Sequence, residues 1–233
     1  MNKNIIAIDG PAGSGKSTVA REVAKQIGFQ YFDSGAYYRV VTLHCMNVKD
    51  RQGSTEDFFS WLQKQNYREL LAGVALDCEF RENGENDIFL NKDNVSAAIR
   101  TPEVTEQIKH IANKAEFREF VNKYIRDLAS RKKLVMDGRD LGTEVFPDAV
   151  YKFFLTASIG VRALRRQQDL AQRGISEDLK KLEKDIELRD KTDMERDIAP
   201  LKQAGDAILI DTSLMGKNIV IETVLSGIKK ENL

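Results

Sequence analysis

Three glycines, a lysine and a serine define the first chemically suggestive stretch of this chain. The run Gly10-Pro11-Ala12-Gly13-Ser14-Gly15-Lys16-Ser17-Thr18 follows directly on the apolar segment Asn4-Ile5-Ile6-Ala7-Ile8-Asp9. Its spacing is G-x-x-x-x-G-K-S, set between an expected strand and an expected helix, the context that gives the pattern meaning. Glycines let such a loop curl until several backbone N–H groups converge on one anion. The helix that follows brings its positive dipole end to the same point. Lys16 can reach the β- and γ-phosphates of a nucleotide, and the Ser17 hydroxyl can ligate Mg²⁺. The helix is well specified: Val19, Val23 and Ile27 share one face and Gly28 is placed to stop it. Together these residues imply binding of a nucleoside triphosphate through Gly10 to Thr18.

A second set of charged residues fits the same chemistry. Asp137 closes the apolar run Leu134-Val135-Met136, where a carboxylate can act with Ser17 in holding Mg²⁺. Arg139, Arg162, Arg165 and Arg166 fall at or just after expected strand ends. Arg162, Arg166 and Arg173 are spaced to share one helical face. Farther on, Leu179, Leu182 and Ile186 form an apolar stripe, which Arg189, Asp193 and Arg196 continue if the helix persists. Arginines at helical spacing usually form a solvated ion-pair face. The alternative is phosphoryl transfer, whose transition state spreads negative charge over the transferred oxygens and is clamped well by guanidinium groups.

These residues need a scaffold. Four further apolar runs, Phe29–Phe32, Lys133–Met136, Val150–Leu155 and Ala207–Ile210, read as buried parallel strands. Each ends in small or polar residues: Asp33-Ser34-Gly35, Asp137-Gly138-Arg139-Asp140, Thr156-Ala157-Ser158 and Asp211-Thr212-Ser213. Ligands of open parallel sheets bind beyond the carboxyl ends of the strands, so these termini are site candidates as a group. Between about Gly53 and Arg100 the pattern changes. Thr55 can cap a helix bearing Phe58, Phe59, Trp61 and Leu62. Val74, Leu76, Cys78 and Phe80 then alternate with polar residues, and Asn83-Gly84 turns the chain toward Ile88-Phe89-Leu90. An antiparallel hairpin inside a parallel α/β pattern marks an insertion. Helices are expected over 102–114 and 117–131, and Ser176 can cap a helix after the break at Gly174.

The bulk properties set limits. A chain of 233 residues can bury a sizeable core as one α/β domain with insertions. Lys+Arg and Asp+Glu both total 36, which points away from nucleic acid or an anionic membrane as partner. Cys45 and Cys78 lack metal or redox spacing, and the N-terminus runs straight into a strand, so a reducing cytoplasm is expected. His44, His110 and Trp61 read as structural. Two GTPase-like tracts fail on inspection. Asp50-Arg51-Gln52-Gly53 has no strand before it, and Asn91-Lys92-Asp93-Asn94 carries its aspartate one place early for guanine recognition.

In combination the motifs resemble bacterial cytidylate kinases, within the nucleoside monophosphate kinases. The resemblance rests on Ile8 to Thr18, Asp33-Ser34-Gly35-Ala36-Tyr37-Tyr38-Arg39, Ile99-Arg100-Thr101-Pro102-Glu103-Val104, Asp137 to Pro147, and Arg189-Asp190 through Asp193 and Arg196 to Ala199-Pro200-Leu201. It implies a P-loop three-layer α/β fold with a five-stranded parallel sheet, a monophosphate-binding insertion at 41–115 and a mobile helical lid at 158–198. It implies Mg²⁺-dependent transfer from ATP to CMP or dCMP. By that likeness the base meets Arg118 and Asp140, the ribose Asp193 with Ser34 near the nucleoside, and the CMP phosphate Arg39, Arg139, Arg189 and Arg196. Lys16, Arg139, Arg189 and Arg196 become the catalytic group, and Arg162, Arg165 and Arg166 approach the ATP phosphates from the lid. Where the family commonly places a serine near the base, Lys109 stands here, with Thr105 one turn earlier. A monomer acting on small nucleotides is expected. The rivals are another P-loop small-molecule kinase, of AMP or shikimate type, and a nucleotide-dependent binding switch.

Overall fold

A computed structural model describes residues 2–81, 84–172 and 174–228. In chain order the elements are β1 (Asn2–Asp9), α1 (Lys16–Ile27), β2 (Gln30–Asp33), α2 (Ser34–Arg51), α3 (Phe58–Gln63), α4 (Tyr67–Leu71), β3 (Leu76–Phe80), β4 (Asn86–Leu90), β5 (Asp93–Asn94), α5 (Pro102–Ala112), α6 (Ala115–Ala129), β6 (Leu134–Gly138), β7 (Ala149–Thr156), α7 (Ile159–Ala171), α8 (Leu179–Glu195), β8 (Ile208–Asp211) and α9 (Lys217–Gly227). The described residues fall into two compact units. One comprises the chain up to Phe32 and from Lys132 onward, and the other is Asp33–Arg131.

The first unit is built on a five-stranded parallel sheet ordered β2-β6-β1-β7-β8. Its central strands carry unbroken apolar runs because helices cover both faces of such a sheet. Ile5 to Ile8 and Leu134 to Met136 are accordingly sealed from solvent. Val19 and Val23 of α1 and Val220 and Val224 of α9 pack with Ile6, Ile8, Val135 and Phe153 in one core cluster. This packing fixes the carboxyl ends of β1, β6 and β7, where the phosphate loop and the residues from Asp137 to Asp140 begin.

Helices α7 and α8 pack through Ala163, Leu170, Leu182 and Ile186. Three local expectations need correction here. Asp178, not Ser176, caps α8 by accepting from the Lys181 amide at 2.9 Å. The buried stripe of α8 runs Leu182, Ile186, Asp190, while Arg189 is exposed. Arg162 is buried and Arg166 exposed despite their i, i+4 spacing, because Arg162 lies in the first turn of α7. Arg173 lies outside the described residues.

In the second unit Asp33 caps α2 by accepting from the Ala36 amide at 3.1 Å. A three-stranded antiparallel sheet, β3-β4-β5, pairs Leu76 with Leu90 and Cys78 with Ile88. Asn83, expected in the hairpin turn, lies outside the described residues. Asn91 and Lys92 turn the chain between β4 and β5 with φ of 52° and 76°, which gives the guanine-like tract a purely structural role as a tight hairpin turn. Asp57, not Thr55, caps α3, since it sits directly before the first turn and accepts from the Ser60 amide at 3.0 Å. Trp61 is buried and donates to Gln52 at 2.8 Å, and His44 meets the Leu70 carbonyl at 2.8 Å.

Candidate active site

The loop from Gly10 to Gly15 connects β1 to α1 in the first unit. Gly10 has φ 145°, and a Cβ there would collide with the Leu155 carbonyl oxygen of β7. Only glycine lets the chain leave β1 so close to its neighbour. Gly15 is the N-cap of α1 at φ 89°, so the helix starts with no side chain over its first amides. Ser14 Oγ donates to the Pro11 carbonyl at 3.1 Å. Lys16 folds back into the same loop, with Nζ 2.6 Å from the Pro11 carbonyl oxygen and 3.4 Å from Ser14 Oγ. Burial holds the Lys16 pKa well below the ordinary lysine value, and the charges of Arg139 and Arg189 push the same way against Asp137 and Asp9. A lysine in this state gains strongly from an arriving anion.

Ser17, in the first turn of α1, donates to Asp137 Oδ2 at 2.7 Å, while the Tyr31 hydroxyl donates to Asp137 Oδ1 at 2.8 Å. The strand end of β6 thus holds its carboxylate against the hydroxyl that follows the phosphate lysine. Hydroxyl and carboxylate oxygens are the hard donors that Mg²⁺ takes, commonly with substrate phosphates completing its shell. The donor set fits the ion.

A charged network begins two residues further along. Arg139 Nε donates to Asp193 Oδ2 at 3.0 Å, and Arg139 Nη1 donates to the Gly138 carbonyl at 3.2 Å. Arg196, just past α8, lies 4.0 Å from Asp193 Oδ1 and 3.7 Å from Asp140 Oδ1, and its Nε donates to the Ala199 carbonyl at 2.6 Å. Asp193 therefore holds one arginine on each oxygen. Arg189 is exposed yet close enough to act on Lys16. Lys16, Arg139, Asp140, Arg189, Asp193 and Arg196 are thus brought together within the first unit. Guanidinium groups that converge in this way suit phosphate ligands.

Arg162, Arg165 and Arg166, expected to act together, diverge. Arg162 donates to the carbonyls of Ala157 at 2.8 Å and Ala12 at 3.1 Å, and pairs with Asp190 at 2.6 Å. It braces α7 and α8 against the phosphate loop at Ala12 and Gly13. Arg165 donates to Thr212 Oγ1 at 3.0 Å and to the Thr212 carbonyl at 2.8 Å. Arg166 faces solvent. Thr212 itself was visible in the sequence only as part of a polar strand end. Its buried hydroxyl ties that end to the Thr156 carbonyl at 3.0 Å.

Within the second unit, Arg39 Nη1 donates to Thr105 Oγ1 at 2.6 Å and to the Ile99 carbonyl at 3.3 Å. Thr105 is thereby an anchor for Arg39. Arg118 is buried, donates to the Ala112 carbonyl at 3.1 Å and lies 5.2 Å from the centre of the Tyr38 ring. Tyr38 is in turn fixed by donating to Asn122 at 3.0 Å. Ser34 is buried at the start of α2, and Lys109 is exposed on α5.

One residue of the site region escaped the sequence reading. Asp9, the last residue of β1, accepts from the Leu141 amide at 3.0 Å and from the Gly142 amide at 2.7 Å. Burial raises its pKa to about 6 despite those two bonds. Its partners stand 132 and 133 residues away, too far for any local pattern to reveal.

Comparison with known proteins identifies the family. The family model for cytidylate kinase matches residues 6–230. A cytidylate kinase of Lactobacillus gasseri is 41% identical over 226 residues, covering 97% of this chain and 92% of that protein. Cytidylate kinases of Shouchella clausii (40% identical, 97% and 96% covered) and Exiguobacterium sibiricum (42% identical, 95% of each covered) are similarly close. With a match that runs from the phosphate loop to the last helix, this chain belongs to the cytidylate kinase family.

Proposed function

We propose that this enzyme transfers the γ-phosphoryl group of ATP to CMP, giving ADP and CDP, and that it accepts dCMP as a second substrate. The observation that carries this reading is the pairing of a Lys16 whose ammonium bonds only loop oxygens with the Arg139–Asp193–Arg196–Asp140 network in one unit. The loop from Gly10 to Thr18 cradles the donor phosphates through backbone amides, and Lys16 exchanges its carbonyl partner for phosphate oxygens. Ser17 and Asp137 hold Mg²⁺, which when bound neutralises and orients the donor phosphates. Arg139, Arg189 and Arg196 receive the CMP phosphate, Asp193 the ribose and Asp140 the base. By the resemblance to the family, Arg39, Arg118 and Ser34 contribute to CMP recognition. No protein base is required, because a phosphate monoester with a second pKa of about 6 is already largely ionised at neutral pH. The residues align two anions that otherwise repel each other and compensate their charge.

In this reading residues 41–115 serve as the monophosphate-binding insertion. Residues 158–198 serve as a lid, with Arg162, Arg165 and Arg166 on the donor side, that excludes water during transfer. The enzyme works as a cytoplasmic monomer on small-molecule nucleotides, and its balanced charge argues against nucleic acid or an anionic membrane as partner. Among the described residues no helix is long and apolar enough to cross a membrane. A coupled assay of ADP release with ATP, Mg²⁺ and a panel of CMP, dCMP, UMP, AMP and shikimate tests the proposal. CMP and dCMP should give the highest kcat/KM. Preference for AMP or shikimate, or acceptor-independent hydrolysis alone, would overturn it.

A further inference from the structure

Asp9 is the last residue of β1 and the residue immediately before the phosphate loop. Its two carboxylate oxygens are shielded from solvent. Each takes one backbone amide, from Leu141 and Gly142, and these are the two residues directly after Asp140. The amides belong to a π-helical turn, Leu141–Val145, whose opening has no side-chain cap of its own. Asp9 therefore plays, from 132 residues away, the part an N-cap residue plays locally. The fit is tight on every side. A Cβ on Gly142 would stand 3.4 Å from Asp9 Oδ2 and 3.2 Å from Lys152 Cδ. Lys152 is itself pinned by Asp206 at 2.7 Å and by the Pro147 carbonyl. The charged side chains that face Asp9 are Asp140 and Lys16, with Lys152 across Gly142.

We propose that Asp9 is a positioning residue for the acceptor side of the reaction: by holding the Leu141 and Gly142 amides it sets where Arg139 and Asp140 point, and so couples the start of the phosphate loop to CMP recognition. Among the described residues Asp9 forms no ion pair, and burial makes its charged form unfavourable despite the charge of Lys16. Two short bonds to the turn are what keep it where it is. The inference rests on the reading of Arg139 and Asp140 as CMP ligands.

Asp9→Asn is nearly isosteric but turns an NH₂ group toward one of two amide donors, so at least one bond is lost. A charge-assisted bond of this type corresponds to roughly a tenfold to hundredfold effect. Steady-state kinetics of the purified enzyme should show KM for CMP raised by that order, with kcat at saturating CMP reduced less. ATP affinity of the enzyme, titrated without CMP, should be unchanged. Hydrogen exchange at the Leu141 and Gly142 amides should be faster in the variant. Gly142→Ala approaches the same contact from the other side while leaving Asp9 in place, and should raise KM for CMP in the same direction by less. It carries the test if Asp9→Asn does not fold. A KM for CMP equal to wild type in both folded variants, or an equal loss of ATP affinity, would overturn the role. Wild-type turnover of CMP is the control. Its absence would overturn the reading of the acceptor site itself, whereas normal wild-type turnover with insensitive variants would overturn only the role of Asp9.

Discussion

Two lysines are almost fully buried in the first unit, Lys16 at 4% and Lys152 at 5% exposure, and their surroundings differ in kind. Lys152 on β7 is satisfied: Asp206 grips Nζ with both oxygens, at 3.0 and 2.7 Å, and the Pro147 carbonyl takes a third bond. Lys16 has a carbonyl and a distant hydroxyl and no direct ion pair, and two arginines disfavour its charge against the weaker pull of Asp137 and Asp9. A buried ammonium with no carboxylate in direct contact costs stability unless something arrives to compensate it. Lys152 is therefore part of the frame, whereas Lys16 waits for an anion. Equal burial conceals opposite roles, and the partner, not the exposure, separates structure from site.

Removing each lysine tests that contrast most severely. Lys16→Ala should lower kcat by several orders of magnitude while the protein still folds, because its loop partners are backbone groups. Lys152→Met should leave kcat within severalfold of wild type but lower the melting temperature. Losing such a bonded, buried cation costs about 1–3 kcal/mol, or several degrees in a domain of this size. Thermal unfolding and turnover measured on both variants decide the matter. Similar losses of activity in the two would erase the distinction.

The same contrast applies to the arginines. Arg196 and Arg189 are grouped with Lys16, since Arg196 meets Asp193 and Asp140 at 4.0 and 3.7 Å and Arg189 acts on Lys16 from an exposed position. Arg162 belongs with Lys152, fixed by two carbonyls and Asp190. Arg189→Ala and Arg196→Ala should each weaken use of CMP by about 1.5–3 kcal/mol, roughly tenfold to 150-fold, and spare ATP affinity in the absence of CMP. Equal damage to ATP binding would move these arginines to the donor side.

Asp140 offers a finer test. A carboxylate accepts hydrogen bonds and cannot donate, so it suits the exocyclic amino group of cytosine and repels the corresponding carbonyl of uracil. Asp140→Ala should shrink the CMP/UMP ratio of kcat/KM by roughly 5- to 150-fold, the span of a good base-edge contact. If Asp140 only braces Arg196, both substrates should suffer alike and the ratio should hold.

Contiguity explains which parts of this site the sequence displayed. The phosphate loop, Lys16, Ser17 and the strand ending in Asp137 are local patterns, and their strand, loop and helix appear in register. The five strands were legible because burial on both faces leaves apolar runs with polar ends. Periodicity did worse on α8. At about 100° per residue, Arg189 and Asp190 both flank the Leu182–Ile186 stripe, and only packing against α7 selects Asp190 as the buried one. Caps slipped by two residues at Asp57 and Asp178 because several acceptors precede each helix. Asp9 was invisible in its role, since a carboxylate that caps a turn in another part of the chain leaves no spacing to read.

Asp9 also supplies a prediction read in stability against pH and not in turnover. Its carboxyl is raised from 3.8 to about 6 by burial, whereas Asp206 is lowered by the bond and charge of Lys152. The two must act with opposite sign. A carboxyl with a raised folded pKa binds its proton more readily in the native protein than in the unfolded chain. Its contribution to stability therefore grows as pH falls from above 6 toward 3.8, and diminishes as pH rises through that window. Asp206 contributes stability above 3.8 and loses it only at lower pH, and the contribution is small because its side chain is largely exposed. Denaturant unfolding of wild type and Asp9→Asn between pH 7 and 4 isolates the first effect. Wild type should gain on the variant by on the order of 3 kcal/mol across that range, as a gap of about two pH units implies. Asp206→Asn should instead run parallel to wild type above pH 4. A wild-type curve that stays parallel to Asp9→Asn throughout would mean that Asp9 titrates like a solvated carboxylate, and that its grip on the Leu141 turn carries no burial cost.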